Sequence, residues 1–210
     1  MSRLAGLEFW KLCGSGTGEG FTPKPNTSVW GVLAVWQDKD TARETLKTRQ
    51  PFAWYEAHAV ESWTVFLRPT SARGAWSGRS PFAVAGGEPA SASGAVVALT
   101  RATLKPQIAM QFWRRVPDIS QMVGDNPDVM MKVGLGEMPL FRQITFSIWP
   151  DTVSMAKFAR APGPHAAAIK AVREEGWFQE ELYARFEVLE EAGQWNGKQP
   201  VAAPNTAIAL

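Results

Sequence analysis

The stretch QITFSIWPDTVSMAKF (residues 143–158) decides the fold, because a second stretch of the chain has the same pattern. Residues 29–46, VWGVLAVWQDKDTARETL, also run from a strand rich in β-branched and aromatic residues into an amphipathic helix. The match aligns Trp36-Gln-Asp38 with Trp149-Pro-Asp151 at the turn between strand and helix. A pattern that recurs along a chain indicates repeated structural units. We therefore predict two related halves.

A second pair of stretches extends the repeat. Residues 61–76, ESWTVFLRPTSARGAW, align with residues 180–195, EELYARFEVLEEAGQW, so that Trp76 matches Trp195. The aligned segments give a unit of order βαββαβ, the ferredoxin-like arrangement of an antiparallel sheet with helices on one face. We predict an α+β fold in which two ferredoxin-like units, sheet against sheet, form a barrel.

The first unit is incomplete at its N-terminus. No residues ahead of Leu7 supply the opening strand and helix that residues 95–123 supply in the second unit. Either a preceding segment is missing or the first sheet is smaller. The predicted organisation is an incomplete N-terminal ferredoxin-like half, a linker loop, a C-terminal ferredoxin-like half and a flexible tail, at residues 1–76, 77–94, 95–195 and 196–210.

Hydrophobic periodicity and turn residues predict the individual elements. The predicted strands span residues 7–14, 28–36, 62–69, 95–104, 128–136, 140–149 and 185–193. Helices are predicted over residues 40–58, over 105–123 with Pro106 in the first turn, and from near Asp151. Residues 70–94 are rich in Ser, Gly and Ala and are predicted as a loop.

Composition narrows the class of protein. The 22 Lys and Arg against 20 Asp and Glu give a net charge of +2 with no dense basic block, so we expect no nucleic-acid partner. The single cysteine, Cys13, excludes an intramolecular disulfide and fits a reducing compartment. There is no apolar run of membrane-spanning length and no signal-peptide pattern, so we expect a cytoplasmic protein. The 10 Trp and 11 Phe would suit a cavity for a large apolar ligand.

Several familiar catalytic patterns do not fit the chain. The glycines of residues 13–21 fall at alternate positions with no helix after them, unlike a nucleotide-binding loop. His58 and His165 are the only histidines, there is no Gly-x-Ser-x-Gly, and no close ligand spacing for zinc occurs. The paired acids Glu180 and Glu181 are expected on a solvated helix face.

His165 is the first candidate for a functional side chain. It follows Gly163 and Pro164 in the first turn of a predicted helix and shares an apolar face with Ile169 and Val172. The helix dipole disfavours an imidazolium there, so the ring stays neutral and keeps a lone pair. A neutral, inward histidine on an apolar face suits an axial haem ligand. The same pattern fits a hydrogen-bonded core histidine, which these residues alone favour.

An arginine on the facing strand is the second candidate. Arg142 shares one strand face with Ile144 and Phe146, where a charge needs a partner. That partner is either a carboxylate such as Glu137 or a haem propionate or iron-bound oxygen species. Arg101, on the neighbouring strand, is a weaker candidate for the same role.

Three longer stretches resemble a known family. They are FWKLCGSGTGEGFTPKPN (residues 9–26), GLGEMPLFRQITFSIWPD (134–151) and HAAAIKAVREEGWFQEELYARFEVLEEAGQW (165–195). These stretches resemble the spheroidene monooxygenases of carotenoid biosynthesis, also called acyclic carotenoid 2-ketolases, whose members extend further at the N-terminus. The likeness runs from about Leu7 to Trp195.

The resemblance implies a haem-dependent, oxygen-using enzyme. It would oxidise a carotenoid carbon beside the terminal methoxy group, as in the conversion of spheroidene to spheroidenone, with electrons from a ferredoxin-type donor. It also implies a relation to dimeric α+β barrel haem proteins, in which a helix histidine of the C-terminal unit binds iron. His165 fits that position.

The residues that we predict for this site divide into two groups. Arg142 and Arg101 would act in catalysis. The haem b would be held by iron ligation from His165 and by contacts with Ile169, Val172, Ile144 and Phe146. The expected partners are an apolar carotenoid, O2, a ferredoxin-type reductase system, the membrane surface in transient contact, and further copies of the chain in a homo-oligomer.

Two alternative functions stay open on the sequence. One is a haem dehydratase or peroxidase on the same fold, in which the substrate or peroxide binds iron directly. The other is a non-catalytic haem- or carotenoid-binding protein. A haem spectrum and a product assay distinguish them.

Overall fold

The computed structural model describes the chain except residues 2–3, 19, 21, 85–93, 115–125, 139, 162–171, 173 and 202–210. The described residues form an α+β fold, as predicted. Its strands are β1 Leu7–Gly16, β2 Pro25–Trp36, β3 Trp63–Gly74, β4 Val96–Leu104, β5 Met131–Met138, β6 Arg142–Trp149 and β7 Phe178–Gly193. Its helices are α1 Lys39–Thr48, α2 Phe52–His58 and α3 Thr152–Arg160, with a 3-10 turn at Pro106–Ile108.

All described strands join in one antiparallel sheet of order β2-β1-β5-β6-β4-β7-β3. The strands of the second half, β5-β6-β4-β7, have the ferredoxin-like order. The first half contributes β1 and β2 to one end of the sheet and β3 to the other. The two halves are therefore joined edge to edge, through β1 with β5 and β3 with β7, instead of forming two separate facing sheets.

The sheet is strongly curled. Trp76 directly follows β3 at one end of the strand order, yet its ring lies 5.6 Å from that of Phe9 on β1, near the other end. The Trp76 indole N–H also donates to Glu137 of β5. Contacts between the two ends of a strand order require the sheet to wrap around a concave face.

The main core lies on this concave face. Alternate residues of the central strands point into it and are almost fully buried, as Val97, Leu99 and Ile148 show with exposures of 0%, 2% and 0%. Burial of each such side chain stabilises the fold by roughly 2 kcal/mol. A smaller cluster on the outer face packs Val96 and Trp149 against α3.

The repeat predicted at the strand-to-helix turns is visible in the caps. Asp38 accepts a hydrogen bond from the backbone N–H of Thr41 at the start of α1 (2.8 Å). Asp151 accepts one from Ser154 at the start of α3 (2.7 Å). Each carboxylate satisfies an amide that the first helical turn leaves unpaired.

Several predicted boundaries were wrong. The helix predicted over residues 40–58 is two helices, because Pro51 lacks the N–H that a continuous helix needs. Residues 70–74, predicted as loop, continue β3 and pair with β7. The predicted strand at 185–193 begins earlier, at Phe178. Of the helix predicted over 105–123, the 3-10 turn and helical residues 109–114 are described.

Candidate functional site

The structure describes only some of the residues that the sequence grouped into one site. Ile144 is 4% exposed and lies with Phe146 on the concave face. Helix α3 packs on the opposite, outer face of the sheet. Val172 is half-buried, and its carbonyl accepts the Trp177 amide (3.3 Å). His165 and Ile169 lie outside the described residues, so their cofactor contacts stay predictions.

Arg142 and Arg101 have different surroundings although they share the concave side. Arg142 begins β6 and is exposed. Arg101, in the middle of β4, is 1% exposed. The carboxylate suggested as a partner for Arg142, Glu137, instead binds Arg101 and Lys11. The weaker arginine candidate is thus the one that is buried in a charged environment.

Four charged side chains form what we call the interior charge cluster: Lys11, Arg101, Glu137 and Glu180. Lys11 Nζ lies 2.7 Å from Glu137 Oε1, and Arg101 Nη2 lies 3.2 Å from Glu137 Oε2. The other terminal nitrogen of Arg101 bonds Glu180 Oε2. Two cations therefore meet two anions, and the cluster carries no net charge.

Trp76 covers the cluster. Its side chain is fully buried, its indole N–H donates to Glu137 Oε2 (2.9 Å), and the Arg101 guanidinium lies 5.8 Å from its ring centre. The turn after Trp76 is tied down as well, because Glu180 accepts the amides of Ser77 (3.0 Å) and Gly78 (2.7 Å). The cluster thus fixes the segment that crosses the concave face.

Both carboxylates of the cluster have pKa values below the usual value of a glutamate. Burial raises the pKa of Glu137, but the ammonium of Lys11, the indole of Trp76 and the charge of Arg101 outweigh it, so the pKa lies below its usual value. Burial likewise raises the pKa of Glu180, and the two turn amides together with Arg101 bring it below the usual value. Both carboxylates are therefore ionised at neutral pH.

Cys13 lies on the concave face beside the cluster and is 1% exposed. Burial, with the Glu137 carboxylate as a second cause, raises the pKa of its thiol to about 12. A thiol with such a pKa remains protonated at neutral pH, and it is then neither a nucleophile nor a good iron ligand.

The concave face is less tightly covered beside β2 and β3, the first and last strands of the sheet. The apolar side chains there are only half-buried: Leu33 and Val35 on β2, and Trp63 and Leu67 on β3. These side chains form an apolar surface next to the interior charge cluster. Such a surface can bury part of a long apolar molecule.

The described part of the chain offers few metal ligands. No group of three or more His, Cys, Asp and Glu side chains in it is arranged to hold a metal ion. His58 is exposed, its Nδ1 lies 2.8 Å from the Trp54 carbonyl, and its ring stacks on that of Trp54 at 4.3 Å.

None of the described helices is both long and apolar enough to cross a lipid bilayer.

Two members of the cluster, Lys11 and Glu180, were missed in the sequence, and Glu137 was paired with Arg142 instead of Arg101. Glu180 was expected on a solvated helix face, but it lies on β7 and binds Arg101. Lys11 and Glu137 had a usable signal, since each interrupts an apolar strand face. Only the pairing of distant strands brings these side chains together.

Comparison with known proteins gives a consistent set of relatives. Proteins named spheroidene monooxygenase match at 53% identity in Cereibacter sphaeroides, 51% in Rhodobacter capsulatus and 34% in Rubrivivax gelatinosus. These matches cover 99%, 94% and 92% of the chain and 64%, 82% and 73% of the respective relatives. The chain thus spans less than two thirds of the Cereibacter protein. No protein-family model matches the chain.

Similarity to solved structures is weaker. An anthrone oxidase-like protein is 13% identical with a TM-score of 0.37, and the match covers 95% of this chain and 84% of that one. The cofactor-independent oxygenase SnoaB of Streptomyces nogalater is 17% identical with a TM-score of 0.32, covering 55% and 98%. At these TM-scores the likeness carries no argument about function.

Proposed function

The chain belongs to the spheroidene monooxygenase family, and we propose that it is a monooxygenase that oxidises a terminal carbon of an acyclic carotenoid. The observation that carries the proposal is the high identity, over nearly the whole chain, to relatives of that name. The half-buried apolar surface along β2 and β3 is compatible with it. A polyene gains about 25 cal/mol for each Å² of apolar surface that leaves water, so binding needs such a surface.

The proposed reaction converts a CH2 group beside the terminal methoxy group into a ketone. Two successive hydroxylations at one carbon give a gem-diol, which loses water. Each hydroxylation inserts one oxygen atom of O2 and reduces the other to water, which requires two electrons and two protons. A ferredoxin-type donor would supply the electrons.

The proposed cofactor is haem b, and the described residues allow a partial test of its fit. Neither His58 nor Cys13 is well placed to bind iron, because the His58 ring stacks on Trp54 at the surface and the Cys13 thiol is buried beside the charge cluster. His165 is therefore the residue that we propose as the iron ligand. When bound, haem would supply the iron centre at which O2 is activated.

The described side chains have roles that do not depend on the geometry of a cofactor. Arg142 is exposed and would bind an anionic group such as a propionate. Arg101 would act through the interior charge cluster, because two carboxylates already neutralise its charge. Ile144 and Phe146 would keep water away from the reacting carbon.

The proposal is tested with purified chain supplied with haem, a ferredoxin and its reductase, and an acyclic carotenoid that carries a terminal methoxy group. Mass spectrometry should detect a product that has gained one oxygen and lost two hydrogens. A Soret band without this product would favour a dehydratase or peroxidase. Retention of the carotenoid without a Soret band would favour a carrier, and either result would overturn the proposal.

A further inference from the structure

The segments that follow β3 and β7 share a sequence pattern. Residues 74–82 read GAWSGRSPF, and residues 193–201 read GQWNGKQPV. We call them the first strap and the second strap. Glycine, tryptophan, a second glycine, a basic residue and proline occupy the same places in both, so the internal repeat continues beyond Trp76 and Trp195.

The two straps also share their backbone conformation. The two residues after each tryptophan have positive φ, 55° and 70° in the first strap and 52° and 71° in the second. A glutamate accepts the amides of both residues in each case: Glu180 in the first strap and Glu61 in the second. Since the straps have the same backbone, their differences lie in what the two tryptophans contact.

The two indoles differ in their hydrogen bonds. Trp76 is fully buried, and its indole N–H donates to Glu137 Oε2 (2.9 Å). Trp195 is half-buried and packs against the main core. Its indole N–H has no acceptor among the residues that the structure describes. The second strap therefore presents a donor whose counterpart in the first strap is occupied by a carboxylate.

Trp195 lies beside the apolar surface that we assign to the substrate. Gly193, two residues earlier, is paired with Trp63 of β3. The Trp63 ring belongs to that surface and lies 6.2 Å from the ring of Phe146 on the concave face. The indole N–H of Trp63 already donates to Glu191 Oε2 (3.0 Å). Of these two neighbouring indoles, Trp195 is the one that can offer its N–H to a bound molecule.

The free donor suits a ligand that is apolar except for one acceptor. An acyclic carotenoid with a terminal methoxy group is a hydrocarbon apart from that oxygen. A hydrocarbon end that displaced water from the indole would leave the N–H unpaired, which weakens binding, whereas an ether oxygen can accept its hydrogen bond. The carbon to be oxidised is beside the methoxy group, so the same hydrogen bond would help to fix which carbon reacts.

We propose that the indole N–H of Trp195 donates a hydrogen bond to the terminal methoxy oxygen of the substrate and so selects methoxy-bearing carotenoids over carotenoid hydrocarbons. This inference rests on the proposed function, which supplies the carotenoid. Trp195 is then a specificity-determining residue: its ring extends the apolar surface next to Trp63, and its N–H recognises the polar group. Trp76 has no such role, because Glu137 occupies its N–H.

The test compares the binding of spheroidene with that of an acyclic carotenoid hydrocarbon of the same chain length. The visible absorption that co-elutes with the purified chain in gel filtration measures binding over a range of carotenoid concentrations. The wild type should prefer spheroidene about fivefold, the size expected for one neutral hydrogen bond. Trp195→Phe keeps an apolar ring without the N–H, so it should weaken spheroidene binding alone and abolish the preference.

A second variant keeps the test valid if Trp195→Phe does not fold. Site-specific replacement of Trp195 by benzothienylalanine retains the shape of the indole without its N–H and should also abolish the preference. Trp30→Phe is the matched control. Trp30 is 62% exposed on the outer face and donates to the Thr27 carbonyl (2.8 Å), so this variant should bind both carotenoids like the wild type.

The outcomes separate this inference from the proposed function. The inference is overturned if the Trp195 variants keep the preference, if they weaken both carotenoids equally, or if Trp30→Phe abolishes the preference as well. A wild type that binds both carotenoids equally would overturn the inference and leave the proposed function in place. A wild type that binds neither would overturn both.

Discussion

Replacement of Arg101 by methionine would remove the central cation of the interior charge cluster while keeping most of the side-chain volume. Arg101 is 1% exposed and holds both Glu137 and Glu180. Removal of one partner of a buried ion pair costs about 3–5 kcal/mol. Lys11 still bonds Glu137, and Glu180 is 24% exposed, so we expect a loss of about 3 kcal/mol in the free energy of unfolding.

Urea unfolding followed by tryptophan fluorescence at neutral pH measures this loss. Arg68→Met is the matched control, because Arg68 also pairs with a glutamate, Glu187, but its side chain is 61% exposed. An exposed pair contributes about 0–1 kcal/mol. If Arg101→Met destabilises the chain no more than Arg68→Met does, the reasoning about the cluster is refuted.

The same variant has a predicted pH dependence. Glu137 and Glu180 have folded-state pKa values below their usual values, so their stabilisation is present above the unfolded-state pKa and is lost as the pH falls through the folded one. In Arg101→Met the buried carboxylates lose their cation, so their negative charges destabilise the folded state. Protonation removes these charges and with them the destabilisation. The stability difference between wild type and variant should therefore narrow as the pH falls below about 4.5. A constant difference would contradict the assignment.

Three further predictions concern single side chains. His165→Ala should abolish the Soret band of the haem-supplemented protein while His58→Ala leaves it intact, and equal spectra would remove His165 as the iron ligand. Cys13 should resist a thiol reagent at neutral pH until the chain is unfolded, because its pKa is about 12; rapid labelling of folded protein would show that the thiol is accessible. Trp76→Phe should cost about 1–3 kcal/mol in urea unfolding by leaving Glu137 without its indole donor, and a neutral effect would mean that this hydrogen bond does not stabilise the fold.

The repeat was the part of the fold that sequence revealed best. The aspartate caps at Asp38 and Asp151 act locally, through amides of the next turn, and a local rule predicts them. The continuous sheet was not predicted, since the pairing of β1 with β5 and of β3 with β7 joins segments far apart in the chain. Periodicity within one strand carries no information about its neighbour.

For the candidate site too, features within one strand could be predicted from the sequence, whereas contacts between strands could not. The alternation along β6 correctly placed Ile144 and Phe146 on one face. It could not tell that this face is the concave one or that Glu137 binds Arg101 and not Arg142. The choice between two arginines depends on register: Arg101 lies in mid-strand, whereas Arg142 lies at the exposed start of its strand.

The edge-to-edge joining of the two halves has a consequence for synthesis. Strand β3 leaves the ribosome long before β7, with which it pairs from Trp63 to Gly74. Until the C-terminal strand emerges, β3 remains an unsatisfied, aggregation-prone hydrogen-bonding edge. Its pairing closes a long loop, which makes folding slow. The N-terminal half therefore cannot complete its part of the sheet until the last strand has been synthesised.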